Sequence, residues 1–210
     1  MNNEQLMKLD GLVYLREITS GNFENVSEFI EYITTDENGN VNPEGKINET
    51  KIRIAERDYQ ISTLEAAGKF EEADKIRKEY SGDNVVNFEV KAINNGAMQK
   101  TVDMIRDDDE LLNLKVSYTS GEYQQELMEN GADKYCTDGL TAACFEDSNG
   151  NAYVIYRGTD GYIAWLENTE AATLADTEYQ QKALNFFESI PKLTTVSYTH
   201  LRAHETSAHL

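Results

Sequence analysis

The sequence predicts a mixed α/β protein, in which a mostly helical region up to about residue 130 precedes the start of an α/β core. Three observations support this prediction. Apolar residues recur near a 3.6-residue period through most of residues 1–130. An Asn-Gly dipeptide at 149–150 separates two runs rich in β-forming residues, which is typical of a β-hairpin. An amphipathic segment and a further β-rich run follow, so strands and helices alternate as in an α/β core.

Two amphipathic helices are predicted before residue 36. The first carries apolar residues over 6–18 and is expected to end near Ser20. The second begins at Asn25, which suits an N-cap because Glu28 follows three residues later. The Asp and Asn residues at 36–40 resemble a calcium loop, but valine and isoleucine stand where such a loop needs glycine and glutamate. A solvated turn is therefore the better interpretation.

Residues 48–80 predict a helical hairpin. Apolar residues lie close to a 3.6-residue period on both arms, and Gly68 is the helix breaker between them. Glycine suits a helix C-cap at this point because it accepts a positive φ. Helical hairpins of this kind also occur in protein-interaction modules. A non-catalytic interaction function that uses this hairpin therefore remains an alternative, with the partner unknown.

The segment from 85 to 130 gives a mixed pattern. Residues 85–93 predict a short strand, and residues 98–112 show helical spacing around the four acidic residues at 107–110. Consecutive carboxylates on a helix point in different directions, so a solvated helix end is favoured over a metal site. A strand at 114–118 and a helix at 122–130 complete the region.

The chain then changes character. Residues 140–145 and 152–156 predict the two strands of a β-hairpin. The second strand is apolar on both faces, as expected for a central strand that helices cover on both sides. Residues 178–190 predict an amphipathic crossover helix that stops at Pro191, and residues 193–196 begin another strand.

Composition excludes several function classes. Nineteen basic residues against 38 acidic ones give a formal net charge of −19, which argues against binding to nucleic acid or to anionic membrane surfaces. Neither a signal peptide nor a run of ~20 apolar residues is evident, so we expect no transmembrane segment and a cytoplasmic location, although non-classical export stays open. Cys136 and Cys144 are expected to be buried thiols of a reduced protein. No cofactor is expected.

One motif stands out, at the end of the second hairpin strand. The run 153–160 ends in Tyr-Arg-Gly-Thr-Asp and resembles bacterial class 3 lipase-like proteins of the α/β-hydrolase superfamily. The resemblance covers about residues 139–196 and implies an incomplete α/β-hydrolase core of hairpin, crossover helix and next strand. It also implies that Thr159 contributes to an oxyanion hole, while Arg157 and Gly158 support the motif. Preorganised donors at a strand end are what a developing oxyanion requires, and glycine allows a close backbone approach.

The nucleophile of such an enzyme is missing from the sequence. No serine has glycine both two residues before and two residues after it, so the Gly-x-Ser-x-Gly elbow is absent. All three histidines lie within residues 197–210, a segment that resembles translated sequencing-adapter text. His204 and His209 are five residues apart, so they do not share a helix face and no zinc site is expected.

Together these patterns favour the N-terminal fragment of a lipase/esterase-like serine hydrolase that is cut before its nucleophile elbow. Its parts are a helical region at 1–130, the start of the hydrolase core at 131–196, and an artefactual tail at 197–210 that packs against nothing. The intact parent is expected to act on a carboxylic ester or acyl lipid. The chain as printed is expected to be inactive.

Overall fold

A computed structural model describes residues 1–157, 178–191 and 198–201 of the chain. The helices within these residues are α1 (Asn3–Leu12), α2 (Glu17–Ser20), α3 (Val26–Thr34), α4 (Glu49–Ala66), α5 (Phe70–Glu79), α6 (Lys91–Asn94), α7 (Ala97–Arg106), α8 (Asp109–Leu112), α9 (Ser120–Glu129) and α10 (Glu178–Ser189). The strands are β1 (Lys115–Thr119), β2 (Ala142–Glu146), β3 (Ala152–Tyr156) and β4 (Tyr198–Leu201).

The first predicted helix is divided in two. A capping box fixes the start of α1, because the Asn2 side chain accepts from the Gln5 backbone and the Gln5 side chain accepts from the Asn2 backbone. The prediction of one helix over 6–18 is wrong, since α1 ends at Leu12 and α2 begins at Glu17. Of the residues between them, Val13, Leu15 and Arg16 are buried and Tyr14 is half-buried, so burial here does not follow one helix face.

The predictions for the second helix and the turn after it are confirmed. Asn25 caps α3 by accepting a hydrogen bond from the Glu28 backbone N–H. In the following turn, one carboxylate oxygen of Asp36 accepts from the backbone N–H groups of Asn38 and Asn40 at 2.8 Å each. These bonds form an Asx-type turn, which needs no ion to hold it.

The helical hairpin is also confirmed. Helices α4 and α5 pack on each other around Ile61, Leu64 and Ala73, and Gly68 between them has φ = +73°. The left-handed conformation at Gly68 reverses the chain between the two helices, and glycine adopts it without a Cβ clash.

The predicted strand at 85–93 is wrong. This segment forms a 3₁₀-helix over Gly82–Asn87 followed by the single turn of α6. The carbonyl of Phe88 accepts from the guanidinium of Arg53 on α4, so this backbone acceptor is satisfied without a sheet partner. Helical structure over 98–112 is confirmed, but it is divided into α7 and α8 where Asp108 caps the second helix.

The strands form one sheet in the order β1-β2-β3-β4. The predicted hairpin is confirmed, since β2 and β3 pair antiparallel with Cys144 opposite Val154. The strand predicted at 114–118 is confirmed as β1, which pairs antiparallel with β2, so the sheet begins within the mostly helical region. Strand β4 pairs parallel with β3, so the expectation that residues 197–210 pack against nothing is wrong for this strand. The strand predicted at 193–196 lies outside the described residues.

Helices cover both faces of the sheet. On one face Tyr153 and Ile155 of β3 join a core formed with α1, α3 and α7; on the other, Val154 and Tyr156 pack with Phe186 of α10. Strand β3 is therefore buried on both faces, and the coarse prediction of a mixed α/β fold is confirmed. In the part of the chain that is described, no helix has the length and apolar character needed to cross a membrane.

Candidate functional site

Three strands, β1, β3 and β4, end together on one side of the sheet, which we call the sheet edge. Strands β1 and β3 both run antiparallel to β2, so Thr119 at the end of β1 and Tyr156 at the end of β3 lie on the same side as the start of β2. Arg157 is the first residue beyond β3, and its backbone N–H donates to the carbonyl of Thr141 at 2.8 Å. In open α/β folds, ligands bind outside the carboxyl ends of strands. This edge is therefore the candidate functional site.

The side chain of Arg157 is held by the N-terminal helical region. Its Nη1 donates to the backbone carbonyl of Tyr14 at 3.3 Å and lies 3.4 Å from Oε1 of Glu56 on α4. The guanidinium carbon lies 4.8 Å from the centre of the Tyr14 ring. A carbonyl, a carboxylate and an aromatic face thus fix the residue that follows β3.

Glu56 binds a second arginine with its other oxygen. Nε of Arg16 donates to Oε2 of Glu56 at 2.8 Å, and the Arg16 guanidinium lies over the Tyr59 ring at 3.2 Å from its centre. Arg16, Glu56 and Arg157 form what we call the Arg–Glu–Arg cluster, with side-chain exposures of 7%, 15% and 11%. Such low exposure means that loss of the shared carboxylate would leave two buried cations without it.

A second carboxylate lies close to this cluster. Glu17 is buried, and neither of its carboxylate oxygens accepts a hydrogen bond from another residue in the described part of the chain. Burial raises the pKa of Glu17, and the nearby charge of Glu56 raises it further, while its own backbone N–H, Arg16 and Lys51 lower it. The site therefore contains one carboxylate that is paired with two arginines and one whose charged form is disfavoured.

Two cavities open on either side of Arg16 and Tyr59, which line both. One has a volume of about 360 Å³ and lies between α4, the start of α9 and residues 134–141. The other has a volume of about 560 Å³ and is also lined by Glu56 and Arg157. Volumes of this size are typical of small-molecule sites.

The residues predicted from the motif are only partly described. Arg157 lies at the strand end and contacts a carboxylate and a carbonyl, while Gly158 and Thr159 lie outside the described residues. The oxyanion role of Thr159 and the supporting roles of Arg157 and Gly158 therefore stay predictions.

The two cysteines differ in burial: Cys144 is buried as expected, whereas Cys136 is only half-buried. Both are free thiols, and burial raises the pKa of Cys136 and of Cys144. A thiol with a raised pKa is a poor nucleophile. No group of three His, Cys, Asp or Glu side chains within the described ranges could hold a metal ion.

Sequence reasoning did not find Arg16, Glu56 or Tyr59. A signal was present, because Glu56 and Tyr59 share the face of α4 that begins with the buried Ile52. Arg16 likewise lies between the buried residues Leu15 and Ile18. A charged side chain in an apolar pattern requires a partner, since an unpaired buried charge is costly.

The chemistry of the site rests on these residues alone. The charged groups at the end of β3 can position a loop and bind polar ligand groups, and no histidine is among the described residues that line the two cavities. Comparison with protein-family models, with curated proteins and with solved structures finds no match for this chain.

Proposed function

We propose that the chain carries the opening part of a lipase/esterase-like serine hydrolase core, whose intact form hydrolyses carboxylic esters. Strand β3 carries the motif in this proposal, and Thr159 supplies a donor to the oxyanion of the tetrahedral intermediate. Arg157 and Gly158 support the loop that holds Thr159. The resemblance of residues 153–160 to class 3 lipase-like proteins motivates the proposal.

One observation supports it most directly. The strand that leads into the motif is buried on both faces, and the first residue beyond it is anchored by the Arg–Glu–Arg cluster. Rigid support of this kind is what an oxyanion hole needs, because its donors must be in place before charge develops. The two cavities, both lined by Arg16 and Tyr59 and one of them also by Arg157, offer space for a substrate at the same sheet edge.

The proposal assigns the nucleophile to a longer chain. The printed sequence has no Gly-x-Ser-x-Gly, and its three histidines all lie within residues 197–210. In this superfamily the acid and the histidine of the triad follow the serine along the chain. The proposed enzyme therefore needs an elbow that the printed sequence does not contain.

Recovery of the gene beyond codon 196 tests the proposal. We expect the longer reading frame to contain Gly-x-Ser-x-Gly shortly after this point, and the purified longer protein to react with a fluorophosphonate probe. The matched control replaces the elbow serine by alanine and should abolish labelling. A longer protein that lacks the serine, or that has it and is not labelled, would contradict the proposal.

A second function is favoured by one feature of the helical hairpin. Phe70, the first residue of α5, is 60% exposed, although the hairpin buries other apolar side chains. Exposed aromatic residues are enriched at protein interfaces, so the hairpin could serve a non-catalytic interaction protein. An elbow without serine, together with partner binding that is lost in Phe70→Ser, would favour this alternative.

A further inference from the structure

The smaller cavity at the sheet edge has an unusual wall. We call it the hydroxyl cavity; it has a volume of about 360 Å³ and lies between α4, the start of α9 and residues 134–141. Three serines and three threonines line it, and three of their hydroxyls, those of Thr19, Ser20 and Ser120, donate to backbone carbonyls. Only Ala55 and Leu140 contribute aliphatic side chains among the described lining residues. A wall of this kind does not suit an acyl chain, which requires apolar contact.

Two of the threonines are buried and lack partners. Thr137 is 5% exposed and Thr141 is 3% exposed, and both line the cavity. Neither side-chain hydroxyl makes a hydrogen bond to any residue in the described ranges. Neither hydroxyl oxygen is among the fully buried polar atoms that lack a partner, so both oxygens stay accessible. Because both residues line the cavity, a molecule within it, either water or a ligand, is the available partner for both hydroxyls.

The charges on the wall balance. Arg16 and Lys134 supply two positive groups, and Asp58 and Asp138 supply two negative groups. Three of the four already have an ionic partner outside the wall: Glu56 for Arg16, Glu65 for Lys134 and Arg57 for Asp58. A charged ligand would be attracted by the two groups of opposite sign and repelled by the two groups of its own sign. It would therefore gain little electrostatic energy from the cavity wall. An uncharged ligand with several hydroxyl groups could instead donate to the carboxylates and accept from the cations.

Aromatic rings complete the wall. Tyr59 and Tyr135 both line the cavity. Sugar rings and similar polyols present hydroxyl groups at their rim and C–H groups on their faces, and the C–H faces pack on aromatic rings. We propose that the hydroxyl cavity binds a small, uncharged, hydroxyl-rich molecule such as a single sugar unit. The further assignment of this sugar unit as the alcohol part of the ester substrate rests on the proposed function. The binding of the sugar unit does not.

Binding of unreactive glycosides to the printed chain tests the inference. The probes are methyl β-D-glucopyranoside and methyl β-D-xylopyranoside, followed by ligand-observed NMR and calorimetric titration. Glucose 6-phosphate and octanoate serve as charged and acyl-chain comparison probes. We expect saturable binding of the glycosides and weaker binding of both comparison probes. Because the glycosides contain no ester, the result is independent of whether the intact parent is a hydrolase.

Matched variants locate the binding. Thr137→Val and Thr141→Val each remove one hydroxyl at nearly constant volume, and each should weaken glycoside binding roughly 2- to 10-fold, the scale of one hydrogen bond. Thr101→Val is the control, because Thr101 is also buried but bonds to the Ala97 carbonyl within α7. Ser62→Ala offers a further test on the half-buried face of α4, where folding is least affected.

Three results would overturn the inference. The first is the absence of saturable glycoside binding by the wild-type chain. The second is that Thr101→Val weakens glycoside binding as much as the folded cavity variants do, including Ser62→Ala. The third is binding of octanoate or glucose 6-phosphate in the cavity more tightly than the glycosides.

Discussion

Glu17 and Glu56 are neighbouring carboxylates with opposite surroundings. Glu56 binds two arginines, whereas both oxygens of Glu17 are buried and accept no hydrogen bond from another described residue. The sequence does not separate them, because each lies in a segment that reads as an amphipathic helix. Their difference depends on which residues the fold brings beside them, and this is why the site could not be derived residue by residue.

The raised pKa of Glu17 predicts a pH-dependent stability difference. A carboxyl group whose pKa is higher in the folded than in the unfolded chain favours folding below the unfolded pKa, and this contribution is lost as pH rises through the folded pKa. We therefore expect Glu17→Gln to be more stable than the wild type at neutral pH and to approach it as the pH falls towards ~4. Urea unfolding from pH 4 to pH 8 measures the difference. A constant offset across this range would show that Glu17 does not titrate as described.

At the scale of elements, α4 connects the helical region to the sheet. Its C-terminal half packs against α5, while Glu56 reaches Arg157 at the end of β3. The hairpin of α4 and α5 could be predicted because Gly68 and the apolar period are local signals. The wrong prediction of a strand at 85–93 shows the limit of local signals. Arg53 of α4 donates to the Phe88 carbonyl, and this long-range hydrogen bond allows a conformation other than a strand.

Glu56→Gln tests the connection between α4 and β3. We expect the free energy of unfolding to fall by about 3 kcal/mol, because two buried guanidinium groups lose their shared charge. Glu49→Gln is the matched control on the same helix. Glu49 pairs with Arg53 but is 55% exposed, so its loss should cost less than about 0.5 kcal/mol. Equal losses in the two variants would show that the Arg–Glu–Arg cluster is not a structural connection.

The contact between α2 and α9 depends on Gly121. A Cβ at this position would lie 2.9 Å from the Cα of Ser20 and 3.1 Å from the carbonyl oxygen of Thr19, both backbone atoms. We expect Gly121→Ala to destabilise the chain by about 1–3 kcal/mol, as overpacking against a rigid neighbour does. In Gly11→Ala the nearest atom would be the Thr101 hydroxyl at 3.0 Å, and a side chain can move. Thermal unfolding should therefore show a clearly larger loss for Gly121→Ala.

At the scale of the whole molecule, the sequence predicted the fold class but not its assembly. The hairpin at 142–156 could be predicted because Asn149-Gly150 specifies the turn and the apolar run specifies a covered strand. Strand β1 joins this hairpin, and the N-terminal helices cover one face of the sheet. Both features depend on long-range packing, which a short sequence pattern does not indicate. The Arg–Glu–Arg cluster depends on the same packing, because it brings together Arg16, Glu56 and Arg157, which are far apart in the sequence.

The chain as printed should not hydrolyse esters. It has no Gly-x-Ser-x-Gly, and no histidine is among the described residues that line the two cavities. Purified protein is expected to turn over p-nitrophenyl butyrate at the rate of a heat-denatured sample. Robust turnover that a serine-directed inhibitor abolishes would mean that a different nucleophile operates.

The most direct test of the proposed function concerns Thr159 in a longer protein that contains the elbow. Thr159→Val removes the hydroxyl at nearly constant volume and leaves the backbone N–H in place. We predict that kcat for p-nitrophenyl butyrate falls by about 10²–10³, the effect of losing one oxyanion-hole donor. KM should change little, because the donor acts on charge that develops in the transition state. An unchanged kcat in a correctly folded Thr159→Val protein would contradict the oxyanion role of Thr159.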